Sequence, residues 1–382
     1  MKKPCSFLLL LLIIYKVPAQ DLSAARKILN TLTSAAFWGR GYTNNGMEKT
    51  AAYLSDAFRT ARLKPMDGKD FNQYFNYPAN TFPGKMEVTI NGKTLSPGRD
   101  FIIDPPSIGL KATALLVKQD STTFISRENR LLVRLADKLT WSVAQQTENY
   151  TGIQVDKKAI SAEPRSITID VENQFIPTFK ASNICGIVKG TRNPDSVILM
   201  TAHYDHLGGM GKDTFFPGAN DNASGISLLL SLARYYAKNP APYSIAFICF
   251  AGEEAGIMGS GYFTSNPLIA LNRVRFMINV DMVGTGSDGI TVVNATLHPR
   301  EFDLLKKINT QKNYLSKINS RGKAANSDHH FFTEKGVPAF FIYTQGGIAA
   351  YHDINDVAKT LPLNEFEDLF KLFKDFNRAL MQ

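Results

Sequence analysis

Four short apolar runs in the second half of the chain, at residues 197–201, 244–250, 276–281 and 339–344, are the feature that most narrows what it can fold into. Runs of this length, rich in Ile, Val, Phe and Leu, read as strands buried on both faces. Residues 225–237 between the first two read as a helix, with Asn222 as its cap and Pro240 beyond its end. Residues 363–380 form an amphipathic terminal helix, with Phe366, Leu369, Phe370, Phe373 and Phe376 on one face. Alternating strands and helices predict an α/β fold, a central mostly parallel or mixed sheet flanked by helices on both faces. In such sheets ligands bind beyond the carboxyl ends of the strands.

Those ends carry the chemistry. The first strand leads into His203-Tyr204-Asp205-His206, and Gly218-Ala219-Asn220-Asp221-Asn222-Ala223-Ser224-Gly225 then runs into the helix. The second strand ends in Ala251-Gly252-Glu253-Glu254, the third in Asp281, and Tyr351-His352-Asp353 lies past the last. Taken singly these are ordinary: a helix cap, a solvated Glu pair, a turn aspartate. Taken together they gather nitrogen and oxygen donors without thiolate at one sheet edge, which suits zinc, cobalt or manganese at a hydrolytic site. Two metals sharing a bridging carboxylate need about this many ligands, and His203, Asp221, Glu254, Asp281 and His352 supply them. Neighbouring side chains in an extended segment point in opposite directions. One glutamate of the Glu253-Glu254 pair can therefore bind metal while the other faces the reacting water. Asp205, two residues from His203, can orient its imidazole.

The rest of the chain is organised around that core. Lys2 and Lys3 precede an apolar run over 7–15, and Val17-Pro18-Ala19 follows. This is the pattern of a secretory signal peptide, residues 1–19, and the run is far short of the ~20 residues of a membrane span. An exported protein, periplasmic or secreted, is expected, with no stable membrane insertion after cleavage. Removing residues 1–19 takes away three lysines and no acids, so the formal net charge falls from +9 to +6. The surplus is scattered and does not form a nucleic-acid-binding stripe. Residues 20–81 read as an N-terminal helical part of the catalytic domain, with a turn at Trp38-Gly39-Arg40-Gly41. Residues 82–180 change texture to short strands and turns, including a hairpin signal at Asn91-Gly92 and a helical stretch near 137–148. They contain no histidine and read as an inserted β-rich subdomain, ahead of a core at 181–382. Cys185 and Cys249 each lie in an apolar run and read as buried free thiols. Gly284-Thr285-Gly286-Ser287-Asp288-Gly289 spells a dinucleotide-binding pattern, but a strand follows it where the phosphate would need a helix.

The ordered series of clusters resembles the motifs of the M28 zinc aminopeptidases. It continues through Gly252-Glu253-Glu254-Ala255-Gly256-Ile257-Met258-Gly259-Ser260, Asn279-Val280-Asp281-Met282, Ser327-Asp328-His329 and Tyr351-His352. The likeness spans 182–382, and Gly39-Arg40-Gly41 extends it weakly toward the N-terminus. Many such enzymes carry a protease-associated domain where 82–180 stands, and the match to that domain is poor. The resemblance implies two Zn2+ ions, one held by His203 and Asp281 and the other by Glu254 and His352. It also implies Asp221 as the bridge, Glu253 as general base and Asp205 in support of His203. His206 and His330 are not needed as ligands, while Asp328, His329 and Tyr351 are expected to line the substrate pocket. The implied activity is removal of N-terminal amino acids from peptides with a free N-terminus. A carboxypeptidase or dipeptidase of the same fold and a glutaminyl-cyclase-like acyltransferase are the alternatives. A carboxypeptidase would need an arginine for the substrate carboxylate; none lies inside the five clusters, and Arg273, Arg275 and Arg321 are nearby in sequence.

Overall fold

The computed structural model describes residues 22–382. The expected signal peptide falls outside the described residues. A nine-stranded mixed sheet organises the chain. Its four central strands, in spatial order Tyr243–Phe250, Asn193–His203, Val274–Val280 and Ala339–Thr344, are all parallel. Antiparallel partners extend both sides, Gln174–Val188 next to Tyr243–Phe250 and Ile290–Val293 next to Ala339–Thr344.

Alternation along the central strands explains the layers. Ile198, Met200 and Ala202 share one core with Ile245, Phe247 and Cys249. Leu199, Ala246, Ile248 and Phe250 point to the opposite face and a second core. The first face is covered by helices Leu22–Leu32, Gly46–Thr60, Gly225–Lys238, Pro299–Lys312 and Phe366–Leu380. The second is covered by the shorter helices Met258–Ser265 and His329–Glu334, through Phe263 and Phe332. Among the described residues, no helix is long and apolar enough to cross a membrane.

The order in which the chain visits these strands creates the crevice. After Asn193–His203 it crosses through helix Gly225–Lys238 to Tyr243–Phe250 on one side. It then passes to Val274–Val280 on the other side. The carboxyl ends on either side of Asn193–His203 therefore diverge into loops that leave a gap between them.

Residues between Met86 and Val171 build two smaller sheets of five and four strands. They share a separate core that includes Val88, Phe101, Phe124, Val133, Ile153 and Ile167. The Asn91-Gly92 hairpin forms as its sequence predicts, both residues taking positive φ (49° and 81°) between Met86–Ile90 and Lys93–Leu95. The helix expected near 137–148 does not form; this stretch is irregular and extended. Leu139, Trp141 and Val143 recur at every second residue, and the buried Leu139 and Trp141 seat in the smaller core from an extended backbone. Tertiary seating outweighs local helix preference there. The glycine pattern at 284–289 is followed by strand Ile290–Val293, and Cys185 and Cys249 are buried and free.

The terminal helix buries Phe366, Leu369, Phe373 and Phe376 completely. Phe373→Ala should therefore cost about 3–5 kcal/mol. Leu115→Ala, at a side chain that is 79% exposed, should stay within about 0.5 kcal/mol of wild type. Urea unfolding of both variants measures the contrast.

Candidate metal centre

The strand Asn193–His203 ends on His203, whose ring is buried. Its Nε2 lies 3.3 Å from Asp221 Oδ1 and 3.3 Å from Asp281 Oδ1. The other oxygen of Asp221, Oδ2, lies 3.1 Å from His352 Nε2, which is also 3.1 Å from Glu254 Oε2. All five residues read as ligands from the sequence thus meet at one place. Asp221 stands in the middle, each carboxylate oxygen facing a different histidine. Potential ligand atoms of His203, Asp221 and Glu254 lie within 4.8 Å of one another, as do those of His203, Glu253 and Asp281.

The donors fit divalent cations. His203 Nε2 and Asp281 Oδ1 are buried and close, yet neither makes a well-directed hydrogen bond. A buried polar atom without a partner is costly, and a cation among these oxygens and nitrogens supplies one. Without a cation, protons take that place. Burial works against charge on His352, but Glu254 and Asp221 outweigh it and raise its imidazole to about 11. His203 is raised in the same way, burial being outweighed by Asp281 and Glu253. Burial also opposes charge on Glu254, but His352 and His206 hold its carboxyl at about 2. Glu253 behaves oppositely. Burial, reinforced by Glu254, Asp328 and Asp281, pushes it well above the usual carboxylate range despite the nearby His203.

Supporting contacts fix these groups. The carboxylate of Asp205 accepts the backbone N–H groups of Glu253 (3.1 Å) and Glu254 (3.2 Å). It thereby pins the turn from which those two side chains diverge. The closest partner of His203 Nδ1 is the main-chain oxygen of Asp205 at 3.2 Å, with the Asp205 carboxylate at 3.8 Å. Asp205 therefore serves the glutamate turn first and the imidazole through its backbone. His206, set aside in the sequence as unnecessary, places Nδ1 2.7 Å from Glu254 Oε1 and holds that carboxylate.

Two further residues were not singled out by the sequence reading as parts of the site. The Asp356 carboxylate accepts the N–H groups of Asn220 and Asp221, anchoring Asp221 from behind. The buried Arg40 donates to the main-chain oxygens of Leu32, Tyr204, Pro217, Gly218 and Asp221. The signal for Arg40 was its flanking glycines. A Cβ at Gly41 would stand 2.3 Å from the backbone of Gly208, and one at Gly39 2.4 Å from the Gly208 oxygen. Only bare backbone lets this turn press against the His206-Leu207-Gly208 loop.

The three residues expected to line a substrate pocket separate. Tyr351 is 40% exposed and stacks on the His352 ring. Its phenol is raised by burial and by Asp221 and Glu254. Asp328 and His329 have no exposed surface. Burial raises Asp328 to about 7, and His329 packs on Phe341. The three arginines noted in the sequence turn elsewhere: Arg273 to Asp195, Arg275 to Ser196 and Arg321 to Tyr343.

A family model for peptidase family M28 matches residues 183–376, more than half of the chain and a span that contains all five converging residues. The chain belongs to peptidase family M28. Among curated family relatives, it is 28% identical over 271 residues to a probable zinc metalloprotease of Pyricularia oryzae, covering 64% of this chain and 53% of that one. It is 40% identical over 108 residues to Aminopeptidase YwaD of Bacillus subtilis, covering 28% of this chain and 22% of that one. The chain thus spans about half or less of the length of these relatives. Among solved structures, it resembles the zinc aminopeptidase BSAP of Bacillus subtilis with a TM-score of 0.70, at 19% identity over 94% of each chain. It also resembles an aminopeptidase of Aneurinibacillus sp. strain AM-1 with a TM-score of 0.66, at 18% identity over 95% of this chain and 94% of that one. These likenesses extend the family's fold beyond the matched segment to nearly the whole chain.

A cation bound among these residues would have to displace protons. With His352 raised to about 11 in the metal-free protein, zinc affinity should rise with pH, by roughly tenfold per unit for each proton displaced. Competition with a chromophoric chelator between pH 6 and 8 checks the slope. The same shift has the opposite sign for the metal-free fold. Its contribution is complete below the ordinary histidine value of 6.5 and is lost as pH rises through about 11.

Proposed function

We propose that this protein is an exported two-zinc aminopeptidase. The observation that carries the reading is the Asp221 carboxylate, whose two oxygens face two histidines, each with a further carboxylate of its own. His203 and Asp281 would hold one ion, His352 and Glu254 the other, and Asp221 both. The ions, when bound, would polarise the scissile carbonyl and acidify the attacking water. Family membership and the zinc metalloprotease and aminopeptidase names of the relatives support peptidase chemistry with zinc.

The chain's own residues do the rest. Glu253 diverges from Glu254 at the turn pinned by Asp205, stands beside His203 and Asp281, and accepts the proton of the attacking water. It then returns that proton to the leaving amine. Tyr351, partly exposed and stacked on His352, would line the path of the peptide. The carboxylates of the crevice attract the α-ammonium of a free N-terminus. A substrate carboxylate would find no match in Arg273, Arg275 or Arg321, which are engaged elsewhere, nor in Arg40, which spends its donors on main-chain oxygens. This favours an aminopeptidase over a carboxypeptidase, and the paired histidines favour two ions over the single zinc of a cyclase. The export reading rests on the lysine-led apolar run before residue 20. Residues 82–180 are read as an insertion between the N-terminal helices and the 181–382 core.

Glu253→Gln should keep two zinc ions per chain and lower kcat by about 10²–10⁴, whereas Glu254→Gln should lose zinc. Metal analysis and steady-state kinetics on the same samples separate the pair. In the substrate series, N-acetylation of a good peptide should abolish cleavage and C-terminal amidation should change it little. Cleavage of the acetylated peptide with sparing of the amidated one would overturn the assignment in favour of a carboxypeptidase.

A further inference from the structure

The stretch 138–145 carries no metal-binding side chain, yet it touches several of the loops that do. The main chain of Trp141 and that of His352 are tied together, Trp141 N–H donating to the His352 oxygen at 3.0 Å. The imidazole closes the pair from the other side, with His352 Nδ1 2.8 Å from the Trp141 oxygen. His352 Nε2 faces the carboxylates of Asp221 and Glu254, so Nδ1 carries the proton when Nε2 binds a metal. The Trp141 oxygen is then its acceptor. This fixes both the tautomer and the ring plane of a ligand whose backbone takes a positive φ of 53°.

Neighbouring residues extend the grip. Lys138 Nζ donates to the Ala349 oxygen at 3.0 Å and lies 3.7 Å from Asp353. Gln145 donates to the main-chain oxygen of Ala255, the residue after Glu254. The Trp141 ring stacks on Phe216, with centroids 4.7 Å apart. Phe216 leads into the Pro217-Gly218 turn before Asp221. The stretch is itself anchored on both sides, to the five-stranded sheet through Trp141 Nε1 to the Ile103 oxygen (2.9 Å) and to strand Asn72–Thr81 of the main sheet through Asn80 N–H to the Ala144 oxygen (2.8 Å).

We propose that residues 138–145 are a positioning strap that fastens the His352 loop, the Glu253-Glu254 turn and the approach to Asp221. Through this strap the middle of the chain sets zinc affinity without contributing a ligand. Trp141 is its principal positioning residue. The inference rests on the metal-centre reading above. Because the His352–Trp141 bonds couple the two elements, zinc binding and strap ordering stabilise each other.

Two measurements on the full chain test this. Hydrogen exchange of peptides covering 138–145 should slow about tenfold or more when zinc is added to chelator-treated wild type. Peptides from helix Pro299–Lys312, which packs against the terminal helix and makes no hydrogen bond to the strap, should not change. In chelator competition, Trp141→Ala should weaken the binding of one zinc by about 10–100-fold, and Trp141→Phe, which keeps the ring stack, should restore most of it. Exchange over 138–145 that ignores zinc overturns the proposal whether or not Trp141→Ala folds. A folded Trp141→Ala variant that binds both ions as wild type does so too. A wild-type chain that takes up no zinc removes the metal-centre reading itself, so the two failures are distinguishable.

Discussion

Negative charge concentrated in a buried crevice is the constraint on which the rest of this molecule depends. At the ends of neighbouring strands Asp205, Asp221 and Asp281 are buried and Glu253 and Glu254 half-buried. Like charges at that density in a low-dielectric setting are tolerated only with counter-charge and full hydrogen bonding. His203 and His352 provide the first partners, each lodged between two carboxylates. The surrounding carboxylates raise the proton affinity of both imidazoles against the effect of burial, so the site favours positive charge. Divalent cations answer that demand with fewer particles and more directed bonds than protons do.

The need for fixed positions follows from the need for charge. Asp221 must present its two oxygens to two histidines, so its backbone is held by the Asp356 carboxylate on its N–H and by Arg40 on its carbonyl. Arg40 is itself buried at a cost visible in its proton affinity. Burial lowers it to about 10 against the pull of Asp221 and Asp356. Asp205 spends both carboxylate oxygens on the N–H groups of the glutamate pair. The site is thus a set of loops, each tied at the backbone by a charged group from another part of the chain. This is what a mobile loop end requires if its side chain is to meet a metal at a fixed distance.

Parts of this were legible without coordinates because they are local. Val197 to Thr201, Ser244 to Phe250 and the Asn91-Gly92 turn declare their conformations through side-chain pattern alone. The five converging ligand candidates were legible because strand ends in an open α/β sheet face one edge, and they stand there. The supporting residues were not. His206 sits three positions from His203 and reads as a spare histidine until its ring is seen against Glu254. Asp356 gives no sign of its purpose in a sequence of ordinary turn residues. The 138–145 stretch reads as helix by local preference and is extended in the fold because Leu139 and Trp141 are seated in a core assembled from distant strands.

The sequence by itself determined the sheet, its buried strands and the identity of the donors gathered at its edge. Hydrophobic period and residue chemistry are properties of neighbours along the chain. The tertiary structure decided which donor faces which: Asp221 between the two histidines, Asp205 under the glutamate turn, Tyr351 outward and His329 inward. It also decided that Trp141, 211 residues before His352, closes on that histidine. Such pairings depend on strand order, crossover path and loop packing. These arise only when segments far apart in sequence bury their apolar faces together, and local pattern carries no record of them.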